Sequence, residues 1–146
     1  MKPDPPFFKD GGTWISEGFY YGRDNMPSPF RGVMTVRHEG ENILITGSGE
    51  LILSDRNTIR IENHYITVKS DSPEIQWRSE NPVIGILIGT YYLIDDSIVS
   101  VFEDEKKTVS GTETLVRISD TEYLVRGVLV KDGNALSKWA LKYTSR

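Results

Sequence analysis

Hydrophobic and polar residues along the chain alternate with a period of two in short segments, and the 3.6-residue repeat of an amphipathic helix is nearly absent. β-Branched and aromatic residues recur over 13–21, 32–39, 42–54, 58–70, 74–79, 83–94, 98–105, 108–119, 123–131 and 135–144, and each of these segments predicts a strand. The breaks carry turn chemistry: Glu39-Gly40-Glu41-Asn42, Asp55-Arg56-Asn57, Asp95-Asp96, Asp120-Thr121-Glu122 and Asp132-Gly133-Asn134. Such residues tolerate positive φ or hydrogen-bond their own backbone, as tight connections require. Short links predict a meander, and an antiparallel sheet of about eight to ten strands curls and closes to remove its edges. The expected fold class is therefore all-β, a single antiparallel up-and-down β-barrel, with a two-sheet sandwich as the runner-up.

Three segments admit finer expectations. Ile43, Ile45, Gly47, Gly49, Leu51 and Leu53 keep one parity, which predicts one long strand bent at Gly47-Ser48-Gly49; a hairpin there is the alternative. Parity slips from Ile59 and Ile61 to Ile66 and Val68, and a bulge near Asn63-His64 accounts for it. Residues 22–30 form the longest expected loop, stiffened by Pro27 and Pro29, with Met26 and Phe30 as apolar contacts over a barrel mouth.

Interior residues of a barrel alternate with exterior ones along every strand. Trp139, Leu141 and Tyr143 share a face opposite Lys138 and Lys142, and Ile75 and Trp77 oppose Glu74, Gln76 and Arg78. Met34, Val36 and His38 form the apolar set of their strand. The segment 83–94 is apolar on both faces, with Gly85, Leu87, Gly89 and Tyr91 on one side and Ile84, Ile86 and Ile88 on the other. A strand without a solvated face needs a second cover. Two candidates are a homodimer through Ile84, Ile86 and Ile88, and the Pro-rich N-terminal arm, residues 1–11, folded back from the barrel domain at 12–146.

Composition narrows the function classes. The 146 residues fit one domain. A net charge of −4 without a Lys/Arg cluster argues against nucleic acid as a partner. With no cysteine, disulfides, thiolate metal sites and cysteine nucleophiles are excluded. No apolar run reaches the length of a membrane helix and no signal-peptide core opens the chain, so the default expectation is a cytoplasmic protein.

Gly12-Thr13-Trp14 followed by an alternating run resembles the first strand of the calycin superfamily, which includes lipocalins, fatty-acid-binding proteins and avidin-like barrels. The resemblance implies that Trp14 packs at the closed end, under a basic residue from a late strand. Arg126 is the candidate, sharing a face with Leu124, Val128 and Val130, and Arg117 is the competitor. A helical pair after the first strand and a C-terminal helix are both missing, so nitrobindin-like and bacterial lipocalin-like domains are the closer fits. Haem binding of the nitrobindin kind needs a placed histidine, and neither His38 nor His64 maps onto that role.

The two histidines lack the spacing of a metal pair, and no nucleophile-elbow or paired-carboxylate motif emerges. Glu103-Asp104-Glu105 reads as a solvated strand end. The aromatics are the better signal: three Trp, seven Tyr and five Phe supply walls for a flat ligand with hydroxyls to orient it. The leading expectation is a barrel that binds a small hydrophobic or amphipathic molecule, lined or closed by Trp14, Tyr20, His38, Trp77, Tyr91, Arg126, Trp139 and Tyr143. No cofactor is indicated. The alternatives are a small enzyme on the same scaffold (isomerase, decarboxylase or chromophore lyase) and a non-catalytic interaction protein; the residues favour binding over catalysis.

Overall fold

The computed structural model describes residues 5–68, 73–82 and 84–146. The ends of two expected strands, at 69–70 and Val83, and the first four residues of the arm lie outside the described residues.

The period-two segments become ten strands: β1 (Thr13–Tyr21), β2 (Pro27–Glu39), β3 (Asn42–Ile52), β4 (Thr58–Val68), β5 (Ile75–Asn81), β6 (Gly85–Ile94), β7 (Ser97–Asp104), β8 (Ser110–Ser119), β9 (Glu122–Lys131) and β10 (Asn134–Ser145). Each pairs antiparallel with its sequence neighbour, and β1 pairs with β10 to close the barrel. The turns use the residues that their chemistry favours. Asp95, Asp132 and Arg56 take positive φ, as do Gly40 and Gly133, and the Asp55 carboxylate accepts the Asn57 backbone N–H at 3.0 Å. Asp104 is buried rather than part of a solvated end. Its carboxylate accepts from the Thr108 hydroxyl at 2.6 Å and from the Thr108 and Val109 backbone N–H groups, tying the β7–β8 turn. These bonds, the Thr108 hydroxyl first, hold its pKa below the usual carboxylate value.

Two local expectations are corrected. No bulge interrupts β4: its register with β3 runs unbroken from Leu44↔Ile66 to Ile52↔Thr58. Ile66 and Val68 instead sit on the outer face, 38% and 47% exposed, so two apolar residues in solvent imitated a change of parity. Bulges occur at Ala135/Ser137 and Arg117/Ser119. Residues 27–30 belong to β2 rather than to a lid. Pairing with β3 stops at Phe30, so Pro27 and Pro29 pair only with β1 and their missing N–H groups leave no gap in a ladder. At Gly47-Ser48-Gly49 the chain runs on as one strand.

Large inward side chains lie over glycines on the neighbouring strand. Trp139 covers Gly127, Trp77 covers Gly89, Phe30 covers Gly49 and Phe102 covers Gly111. A Cβ at Gly127 would meet the Trp139 ring at 2.1–2.3 Å, whereas one at Gly47 would meet only the flexible Met34 side chain at 3.2 Å. Gly127→Ala is therefore expected to cost about 1–3 kcal/mol by overpacking and to displace the Trp139 ring. Gly47→Ala is expected to cost less. Urea midpoints and tryptophan emission of the two variants check this; equal midpoints would refute it.

The arm closes one end of the barrel. Proline at the start of a 3₁₀ turn over Pro6–Phe8 presets its φ, and the turn carries Phe7 and Phe8 into the interior, 4% and 1% exposed. Phe7 packs on Trp14, Tyr123 and Tyr143, and Phe8 on Tyr91. The Phe7 backbone N–H donates to the Tyr123 hydroxyl at 3.3 Å, and the Phe8 carbonyl lies 2.5 Å from His38 Nε2. The described arm thus fills the barrel end rather than crossing the Ile84/Ile86/Ile88 stripe. Ile86 and Ile88 face outward, with Ile88 47% exposed, whereas Ile84, just before β6, packs against the core. Among the described residues no helix is long and apolar enough to cross a membrane.

Candidate functional site

Alternation along β8 points Gly111, Glu113 and Leu115 inward, and the register sets Glu113 between Ser100 of β7 and Gly127 of β9. Trp139, inward on β10 beside Gly127, donates its indole N–H to Glu113 Oε2 at 2.7 Å. Apart from Trp139, Glu113 has no hydrogen-bond or ion-pair partner among the described residues. Burial, opposed by the Trp139 hydrogen bond, lifts its pKa to about 7.

Four tyrosines from four other strands share the inner face of the barrel with this carboxyl: Tyr20, Tyr65, Tyr91 and Tyr143. Burial chiefly, and the Glu113 charge next, push each phenol above its ordinary value. None of the four hydroxyls has a hydrogen-bond partner among the described residues, and none is fully buried; the fully buried, unpartnered polar side-chain atom among them is Trp14 Nε1. Tyr20, Phe30, Tyr65, Glu113 and Trp139 all face inward yet keep accessible surface. That surface faces the inside of a ring of ten strands, wider than the eight that side chains just fill. The aromatic wall falls into two clusters. Tyr20 packs on Phe30 and Trp139 at 5.2 and 5.8 Å, and Trp77 on Tyr65, Tyr91 and Phe102 at 5.2–5.7 Å. The Trp77 indole N–H is taken by Ser100 at 3.0 Å, so that ring offers only its faces.

Of the residues expected at the site, Tyr20, Trp77, Tyr91, Trp139 and Tyr143 all face inward; Tyr20 and Trp139 keep accessible surface, and Trp77, Tyr91 and Tyr143 are buried in the core. Trp14 faces inward at the plugged end, 2% exposed, against Phe7 and Tyr123. His38 also faces inward there, occupied with the Phe8 carbonyl. Arg126 does not join them. It pairs with Ala140 on the outer face, donates to the Val125 carbonyl at 2.8 Å, and helps line a shallow outer groove of about 490 Å³ with Lys138, Thr112 and Thr114. The apolar residues that share its parity are the exterior ones; Leu124 is 39% exposed. The competitor Arg117 has the inward parity, pairing with Tyr123 at the rim of the plugged end. Glu113 and Tyr65 were not anticipated. The signal for Glu113 was a carboxylate in phase with Gly111 and Leu115, obscured because the opposite phase, Thr112, Thr114 and Val116, is no more polar.

Among solved structures, the S-type phycobiliprotein lyase CPES from Guillardia theta superposes with a TM-score of 0.68 over 97% of this chain and 89% of that chain, at 8% identity. The two share a fold. At that identity the likeness extends to the barrel alone. A putative AttH protein from Nitrosomonas europaea aligns with all of this chain but 54% of its own, at 11% identity and a TM-score of 0.37, too low to support an argument. No family model and no curated protein matches the chain.

Proposed function

We propose that the barrel binds a small, flat, amphipathic molecule in the space around Glu113. The observation that carries this reading is the unpartnered polar set inside an aromatic wall: one carboxyl and four phenols facing accessible space. Buried polar groups ordinarily find partners, so a site that withholds them is prepared for a ligand or for water held in its place. The outer groove at Arg126 and Lys138 is the competing location, but it is open to solvent.

Native mass spectrometry of freshly purified protein, with extraction of any bound compound, looks for the ligand directly. Titration with the neutral fluorophore N-phenyl-1-naphthylamine locates the site. Saturable binding is expected, weakened about tenfold by Tyr20→Ala, which removes an interior ring that the outer groove does not share, and unchanged by Arg126→Ala. Loss of binding in the Arg126 variant alone would move the site to the outer groove.

The likeness to a phycobiliprotein lyase supports a second reading, in which the barrel handles a chromophore as a lyase. Its test is the absorption spectrum of biliverdin, an open-chain tetrapyrrole. A saturable shift that Glu113→Gln abolishes supports this reading, and an unshifted spectrum counts against it.

A further inference from the structure

We infer that the molecule held in the barrel is a flat cation bearing N–H donors, with its charge taken by the Glu113 carboxylate. This rests on the interior-binding reading above and names the chemical class of the ligand.

The argument is one of charge and hydrogen-bond balance. A carboxylate only accepts hydrogen bonds, and a phenol both donates and accepts. Trp139 N–H occupies Oε2, and Oε1 has no partner among the described residues. Nor does any lysine, arginine or histidine of the described chain pair with Glu113. Of the basic groups with inward parity, His38 and Arg117 lie at the plugged end, where His38 meets the Phe8 carbonyl and Arg117 pairs with Asp120, and Lys131 ends β9 exposed at the opposite rim. The chain thus places an acid on the inner face of the barrel and leaves its counter-charge unsupplied. A buried carboxylate without a cation is costly, and a cationic ligand relieves that cost on entry.

The walls favour the same choice. Trp139 is anchored through its indole N–H to Glu113 and presents ring surface together with Tyr20 and Tyr65, while Trp77, tied to Ser100, is buried behind Tyr65. Aromatic faces attract cations. The phenol oxygens can accept ligand N–H groups that Oε1 does not reach. A carboxylate or sulfonate placed beside Glu113 would set like charge against it, which is unfavourable. The interior therefore discriminates by charge as well as by shape.

The test uses three planar three-ring probes at pH 8: 9-aminoacridine (a cation with N–H donors), acridine (neutral) and acridine-9-carboxylate (an anion). Isothermal titration calorimetry is run on the whole chain, with circular dichroism to verify that each variant is folded. The cation is expected to bind about tenfold or more tighter than acridine, and the anion weakest. Glu113→Gln should remove the cation's advantage while leaving acridine binding within about twofold, and Glu113→Asp should keep part of the advantage. Equal binding of the three probes, or an unchanged cation affinity in the Gln variant, overturns the charge assignment and leaves interior binding standing. No saturable binding by any probe overturns both.

Discussion

Replacing Glu113 with glutamine is expected to stabilise the protein at pH 8 and to leave its stability unchanged near pH 4. Burial raises the carboxyl pKa from 4.5 to about 7, so in the folded state the group holds its proton through a window in which the unfolded chain has lost it. The folded state binds more protons there, and stability falls as pH rises from about 4.5 to about 7, then levels off. The shift corresponds to a loss on the order of 3 kcal/mol, an upper figure because the accessible surface admits water. Glutamine keeps an oxygen for the Trp139 N–H and carries no charge, so the variant lacks this loss. At about 2–4 °C per kcal/mol for a chain of this size, its thermal midpoint at pH 8 should exceed wild type by up to roughly 10 °C. Melting both proteins from pH 4 to pH 8 isolates the effect, since every other carboxylate titrates in each. A difference between the two that does not grow with pH would show that Glu113 is not buried in solution.

The second large effect is expected at the plug. Phe8 is 1% exposed, packs edge-on against Tyr91 at 5.2 Å and presents its carbonyl to His38. Phe8→Ala removes a fully buried ring from a place where the strands cannot collapse, and the cost should be about 3–5 kcal/mol. Phe8→Leu, which refills most of the volume, should lose less than half of that. Urea denaturation gives both values, and acrylamide quenching reports whether the neighbouring end of the barrel has opened around Trp14, now 2% exposed. A wild-type midpoint for Phe8→Ala would mean that the arm does not hold this end shut.

Both effects originate in contacts between residues far apart in the chain, and that separation explains how much of the site was legible beforehand. Alternation alone places Trp77, Tyr91, Trp139 and Tyr143 inward, because each stands in phase with small or apolar neighbours on its own strand. Arg126 was misplaced by the same method: β9 carries valine and leucine on both faces, so phase could not tell inside from outside. Glu113 was missed for the complementary reason, its strand being equally polar on both sides. Ile66 and Val68 show the limit once more, since two exposed apolar residues counterfeited a bulge.

The sequence by itself determined the strands, the tight turns and the sequential meander, because period-two patterning and residues tolerant of positive φ act over a few positions. It also placed the inward aromatics wherever the opposite face of the strand was charged. Only the tertiary structure decided that β1 meets β10, that the arm plugs one end, and that an acid from β8 faces phenols from β1, β4, β6 and β10. Those results depend on the circumference of the closed ring and on how its inner side chains share the volume. Both are properties of all ten strands together, and no local segment carries them.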